Sequence, residues 1–189
     1  MFKILDCTLR DGGYYNNWDF DTKLINSYFK SMSDINIDYV EIGFRSNSQD
    51  KFLGPLAYST NSFIKNLKIP KKLKNKIGVM INASEFMQAK DINQQKKMLN
   101  KIFPKKDKKI INFVRIACHE KEVFKAFKLC KWFRKRGLKV FYNLMQISEI
   151  KEVNLVKISK KTNDIDLEGF YIADSLGTLS PDQISKIVS

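Results

Sequence analysis

The stretch Leu5-Asp6-Cys7-Thr8-Leu9-Arg10-Asp11-Gly12-Gly13 decides how the rest of the chain is read. Ile4 and Leu5 open an apolar strand after Lys3, and Arg10 and Asp11 stand side by side where that strand ends. Gly12 and Gly13 follow, and glycine permits backbone angles that other residues resist. This places a cation and a carboxylate at the rim of a core strand, beside a turn with room for a ligand. The carboxylate can hold a divalent metal through oxygen. The guanidinium can stabilise negative charge that develops on an oxygen during reaction. An Arg-Asp surface pair before a tight turn fits the same spacing, so both readings stay open at this point.

Working outward, strand and helix patterns alternate along the whole chain. Strands are expected over Asp38 to Phe44, Lys76 to Ala83, Lys109 to Cys118, Leu138 to Ile147 and Leu167 to Asp174. Asp19-Phe20-Asp21 opens a helix in which Leu24, Ile25, Tyr28, Phe29 and Met32 recur at helical spacing. Further helices are expected over Pro55 to Leu67, Asp91 to Ile102, Glu120 to Arg136 and Glu149 to Lys160. Gly137 is the stop of the third of these, and Ser180 with Pro181 starts a last one.

Strands alternating with helices imply βαβ units and a parallel sheet. An open doubly wound sheet and a (β/α)8 TIM barrel are the two candidates. Arg10, Asp11, Glu41, Arg45, Arg115, His119, Asp174 and Ser175 all fall at or just past expected strand ends. Drawing polar groups from the ends of several strands is the habit of the barrel. No Gly-x-Gly-x-x-Gly follows the first strand, which counts against a dinucleotide fold. A barrel has eight strands and typically about 250 residues. Residues 1–189 offer six βα units. The expectation is therefore a single α/β domain, an incomplete TIM barrel truncated after its sixth unit.

Composition narrows the function. There are 34 Lys and Arg against 20 Asp and Glu, a formal net charge of +14. The excess is nearly all Lys and is spread along the chain, with no interleaved aromatic pattern, so a nucleic-acid module is not expected. The charge favours anionic small molecules. Cys7, Cys118 and Cys130 form neither a CxxC pair nor an even disulfide set, which fits a reducing cytoplasm. No apolar run approaches the roughly 20 residues of a membrane span, and the N-terminus does not read as a signal peptide.

The run Asp6-Cys7-Thr8-Leu9-Arg10-Asp11-Gly12-Gly13 resembles the first-strand signature of the DRE-TIM metallolyases. That group includes hydroxymethylglutaryl-CoA lyase, isopropylmalate and homocitrate synthases, and 4-hydroxy-2-oxovalerate aldolase. Tyr39-Val40-Glu41-Ile42-Gly43 resembles its second-strand E-x-G. Val114-Arg115-Ile116-Ala117-Cys118-His119 resembles the fourth-strand R-V-A-T-H of the aldolases, and Ala173-Asp174-Ser175-Leu176-Gly177 resembles the sixth-strand D-T/S-x-G.

The resemblance implies a metal-dependent aldolase or lyase acting on a 2-oxo acid through an enolate. Asp11 would be a ligand to Mn or Mg, and Arg10 the enolate stabiliser. Glu41, Arg115, His119, Asp174 and Ser175 would surround the substrate. The family's H-x-H metal pair, on its seventh strand, has no counterpart here, so the 189 residues are expected to be inactive alone. Where the aldolases place a His base, this chain has Gly13-Tyr14-Tyr15-Asn16-Asn17-Trp18, which leaves Tyr14 as the candidate acid or base. His119, the one histidine, is either a proton shuttle or a helix N-terminal residue. The implied partners are the small substrate, with a homo-oligomer or a dehydrogenase for the full-length protein, and no nucleic acid or membrane. An acyl-CoA-condensing synthase and a non-catalytic degenerate half barrel are the alternatives.

Overall fold

Alternating side chains on six short strands face two different interiors, and this sets the architecture. The computed structural model describes residues 2–47, 52–104 and 109–188. The strands are β1 (Leu5–Asp6), β2 (Tyr39–Phe44), β3 (Ile77–Asn82), β4 (Phe113–Cys118), β5 (Lys139–Met145) and β6 (Gly169–Ala173). All neighbouring pairs are parallel, and the order in the sheet is β1-β2-β3-β4-β5-β6. Order in space equals order in sequence, so among the described residues there is no reversal point of the kind that defines a doubly wound sheet.

The sheet is curled. The first and last strands of a flat six-stranded sheet would lie about 24 Å apart, five gaps of about 4.8 Å. Here Lys3, just before β1, donates to Glu168, just before β6, at 3.2 Å. Six parallel strands therefore form a curled half barrel, as the expectation of an incomplete TIM barrel requires.

The helices are α1 (Thr8–Asn16), α2 (Thr22–Asp34), α3 (Asn61–Asn66), α4 (Ala83–Met87), α5 (Ile92–Ile102), α6 (Val123–Lys135), α7 (Glu152–Thr162) and α8 (Pro181–Val188). The outward strand residues Val40, Ile42, Val79, Ile81, Val114, Ile116, Val140 and Leu144 are fully buried against the helical layer. Burial of this apolar face is the main favourable contribution to the fold. The helix ends follow the sequence. Asp21 caps α2 through the amides of Lys23 and Leu24, and Asp91 caps α5 through those of Asn93 and Gln94. Gly137, at φ 76°, closes α6, with its own amide on Arg134 O and that of Leu138 on Phe133 O. Ser180 and Gln183 cap α8 reciprocally.

The inward residues form layers. Tyr39, Phe113 and Phe141 pack with Leu5 and Tyr171 at the strand starts. Phe44, Met80 and Ala117 pack with Trp18 and Met145 nearer the strand ends. Polar side chains lie on the same inward face between these two apolar layers.

One expectation fails at the start of the chain. Arg10 and Asp11 do not end a strand beside a Gly-Gly turn. The strand stops at Asp6, and both residues lie on α1 together with Gly12 and Gly13. Neither glycine has positive φ. Gly13 is required by packing: a Cβ there would lie 2.0 Å from Trp18 Cδ1. Asp6 starts the helix, accepting from the Thr8 amide and hydroxyl at 3.0 Å each and from the Tyr28 hydroxyl at 2.5 Å. Burial, followed by the Asp6 carboxylate, raises the Tyr28 hydroxyl well above its ordinary range. Among the described residues no helix is long and apolar enough to cross a membrane.

Candidate active site

Glu41 is the third residue of β2 and Arg115 the third of β4. Both point into the half barrel from mid-strand, not from the strand ends where the sequence pattern put them. The Glu41 side chain is wholly buried. Arg115 grips it with both edges of its fork, Nε to Oε2 at 2.7 Å and Nη2 to Oε1 at 2.6 Å. Arg10 reaches in from α1 and adds Nε to Oε1 at 2.8 Å. One carboxylate is thus clamped by two guanidiniums, in the planar geometry that arginine favours. Burial works against the Arg115 charge, and the Glu41 carboxylate outweighs it, so the guanidinium is held above its ordinary value.

Arg10 is fixed from two further sides. Its Nη1 donates to Asp11 Oδ1 at 2.8 Å, and its carbonyl accepts from Trp18 Nε1 at 2.8 Å. Its guanidinium lies 5.8 Å from the Phe44 ring centroid. Nη2 has no protein partner among the described residues. Arg10 is 12% exposed and Asp11 65% exposed, so the pair offers solvent a donor and a carboxylate side by side.

The other expected residues distribute differently. Tyr14 is one turn beyond Arg10 on α1, 63% exposed, with its ring edge-on to Trp18 at 4.9 Å and Phe44 at 6.2 Å. His119 caps the short 3-10 turn Glu120–Glu122 and lines a recess with Met145, Gln146 and Glu149. Asp174 follows β6 and closes a local turn, Oδ2 accepting from the Leu179 amide at 2.9 Å. That amide holds its carboxyl below the ordinary range. Ser175 Oγ accepts from the Gln146 amide at 3.3 Å. Arg10, Asp11, Glu41 and Arg115 are brought together; His119, Asp174 and Ser175 make no hydrogen bond to them. Arg45 stays outside as well, its guanidinium bonded to Ser59 O, Asn61 Oδ1 and Ile102 O.

Asn143 joins the cluster without having been foreseen. It is 6% exposed on β5, and Oδ1 accepts from Arg115 Nη1 at 3.4 Å. The signal was a polar residue inside the apolar run Val140-Phe141-Tyr142-Asn143-Leu144. Tyr171, in register opposite Asn143, lies with its ring centroid 5.4 Å from the Arg115 guanidinium.

A divalent cation of the Mg type takes about six ligands, some of them water. Glu41 is spent on the two arginines, and no three His, Cys, Asp or Glu side chains among the described residues can hold an ion together. Asp11 supplies one open carboxylate. The described residues alone do not make a metal site.

Comparison with known proteins bears on the fold and the family. The crystal structure of "the N-terminal domain of a putative aldolase from Bacteroides vulgatus" matches 99% of this chain with a TM-score of 0.78 and 31% sequence identity. The chain spans 59% of that chain's length. No curated protein matches it. The HMGL-like family model covers residues 1–189. A shared fold with an aldolase-named neighbour and a family match over every residue lead to one conclusion: this chain belongs to the HMGL-like family.

Proposed function

We propose that the cluster is the enolate-stabilising part of an aldolase or lyase site for a 2-oxo acid, with 4-hydroxy-2-oxovalerate as the type substrate. The observation that supports this is Arg10. Its Nε edge is fixed by buried Glu41, and its Nη2 is left to donate beside the open Asp11 carboxylate. In retro-aldol cleavage the carbon-carbon bond breaks as the 4-hydroxyl loses its proton. Negative charge then moves onto the 2-oxo oxygen, where a prefixed donor is worth most. Arg10 supplies that donor, and Arg115 holds the substrate anion in the same interior. Tyr14, one turn from Arg10, is the candidate proton carrier. A divalent metal, Mn or Mg, would supply Lewis acidity in such a site; Asp11 is this chain's one donor toward it.

Oxalate, a stable mimic of the pyruvate enolate, tests the reading by calorimetric titration. Arg10→Lys keeps the charge and loses the fork, and we expect about tenfold weaker binding, the scale of one lost charge-assisted bond. Asp11→Asn removes a neighbouring negative charge and should tighten oxalate binding. In any preparation that turns over 4-hydroxy-2-oxovalerate, Arg10→Lys should lower kcat roughly 10²–10³-fold. Failure of wild type to bind oxalate, or equal binding by Arg10→Lys, would overturn the proposal.

A further inference from the structure

The geometry points to Asn143 as an additional substrate-binding residue, whose Nδ2 donates a hydrogen bond to the carboxylate of the bound 2-oxo acid. The inference rests on the 2-oxo acid reading of the site. Arg10, Glu41, Arg115 and Asn143 form one hydrogen-bonded line across the half barrel. Asn143 is its far end.

The orientation of this amide follows from chemistry. A guanidinium has donors only, so the atom facing Arg115 Nη1 must be the carbonyl oxygen. Nδ2 is therefore turned away from Arg115. It donates to no described residue, yet it is not sealed from water. A side chain that is 94% buried thus keeps an unspent donor, aimed by an arginine that is itself clamped by Glu41.

The fold does not need an amide here. Asn143 lies on the inward face between Phe141 and Met145 and opposite Tyr171, where leucine would fill similar space. Arg115 is already anchored without it, since Glu41 takes two of its donors at 2.6–2.7 Å against 3.4 Å to Asn143. A buried polar group that neither the core nor the ion pair requires is where a protein gives up stability for function.

The test separates a brace for Arg115 from a donor to substrate. Asn143→Asp is nearly isosteric and accepts from Arg115 at least as well, but it offers no donor and carries a negative charge. If Asn143 only braces Arg115, the added charge acts alone, and oxalate affinity falls by no more than Asp11→Asn raises it. If Asn143 donates to the ligand, oxalate binding falls by tenfold or more. Asn143→Leu removes donor and acceptor without adding charge, and serves if the Asp variant does not fold. The long 3.4 Å bond to Arg115 is the one protein contact it loses among the described residues, so it should still melt cooperatively near the wild-type temperature while losing most oxalate affinity. Unchanged oxalate binding by Asn143→Leu, or a loss in Asn143→Asp no larger than the Asp11→Asn gain, while Arg10→Lys weakens binding, would overturn the Asn143 assignment alone. Absence of binding by wild type would overturn the site reading and this assignment together.

Discussion

The middle of the half-barrel interior and the strand starts each gather several donors around one carboxylate, and they do so with opposite materials. Inside the barrel, Glu41 receives two arginines and is wholly buried, with side chains 8% and 12% exposed around it. At the strand starts, Glu168 receives Tyr39, Lys139 and Lys3 at 2.5, 3.0 and 3.2 Å. Its lysines are 44% and 61% exposed. Arginine forks out of water fix geometry, whereas solvated lysines on flexible stems fix little. The count of ion pairs says nothing about role; burial and donor shape do. The Glu41 cluster is built to hold a guanidinium edge in place. The Glu168 cluster is a brace that ties β1 to β6, in keeping with a stabilising N-terminal face of a barrel.

The largest expected effect breaks the inner cluster. Glu41→Leu leaves two guanidiniums facing each other out of water. Removing one partner of a buried pair costs about 3–5 kcal/mol, and here two cations lose it. Urea denaturation should show the midpoint collapse or the cooperative transition disappear, since domains hold only about 5–15 kcal/mol. A loss below about 1 kcal/mol would mean that the arginines are solvated and that the two clusters are alike.

A middle effect comes from the support of α1. Gly13→Ala drives a methyl into the Trp18 indole, and overpacking of this kind costs about 1–3 kcal/mol. Because the indole also bonds the Arg10 carbonyl, Trp fluorescence should shift and oxalate affinity should fall with stability. A change in stability with intact oxalate binding would uncouple the helix from the site.

The smallest effect belongs to the brace. Burial alone would raise the Glu168 carboxyl, but hydrogen bonds from Tyr39, Lys139 and Lys3 outweigh it and hold it down at about 2, against an ordinary 4.5. Its contribution is therefore fully present above pH 4.5 and is lost as pH falls through about 2. Glu168→Gln should cost about 1 kcal/mol or less at neutral pH, because the lysines are exposed. Wild type and variant should converge in urea melts as the pH nears 2. A gap that persists in acid would assign the loss to packing, not charge.

Much of this was legible in the sequence, for physical reasons. β2 runs from Tyr39 to Phe44 where Asp38 to Phe44 was expected, because a strand buried on both faces reads as a continuous apolar run. Asp21, Asp91, Gly137 and Ser180 mark their helix ends because capping chemistry is local. α1 was not legible. It carries two glycines and buries only Leu9 and Gly13, so no apolar stripe announces it. It is held from outside, by Asp6 before it and Trp18 after it. The partnership of Arg10, Glu41 and Arg115 was half legible: Glu41 stood out as an acid among apolar residues, but mid-strand placement depends on register. Asn143 needed the fold, since only the sheet shows which face of β5 points inward.

The consecutive strand order has a kinetic side. Every ladder joins a strand to the one made just before it. Each pairing spans one βα unit, so an elongating chain can add one strand at a time, each onto a template already out of the ribosome. The clamp on Glu41 can form once β4 has emerged, 74 residues after β2 supplies its carboxylate. Lys3 and Glu168, 165 residues apart, can meet only after β5 is in place. The deepest contact is thus an earlier event of synthesis than the tie at the strand starts.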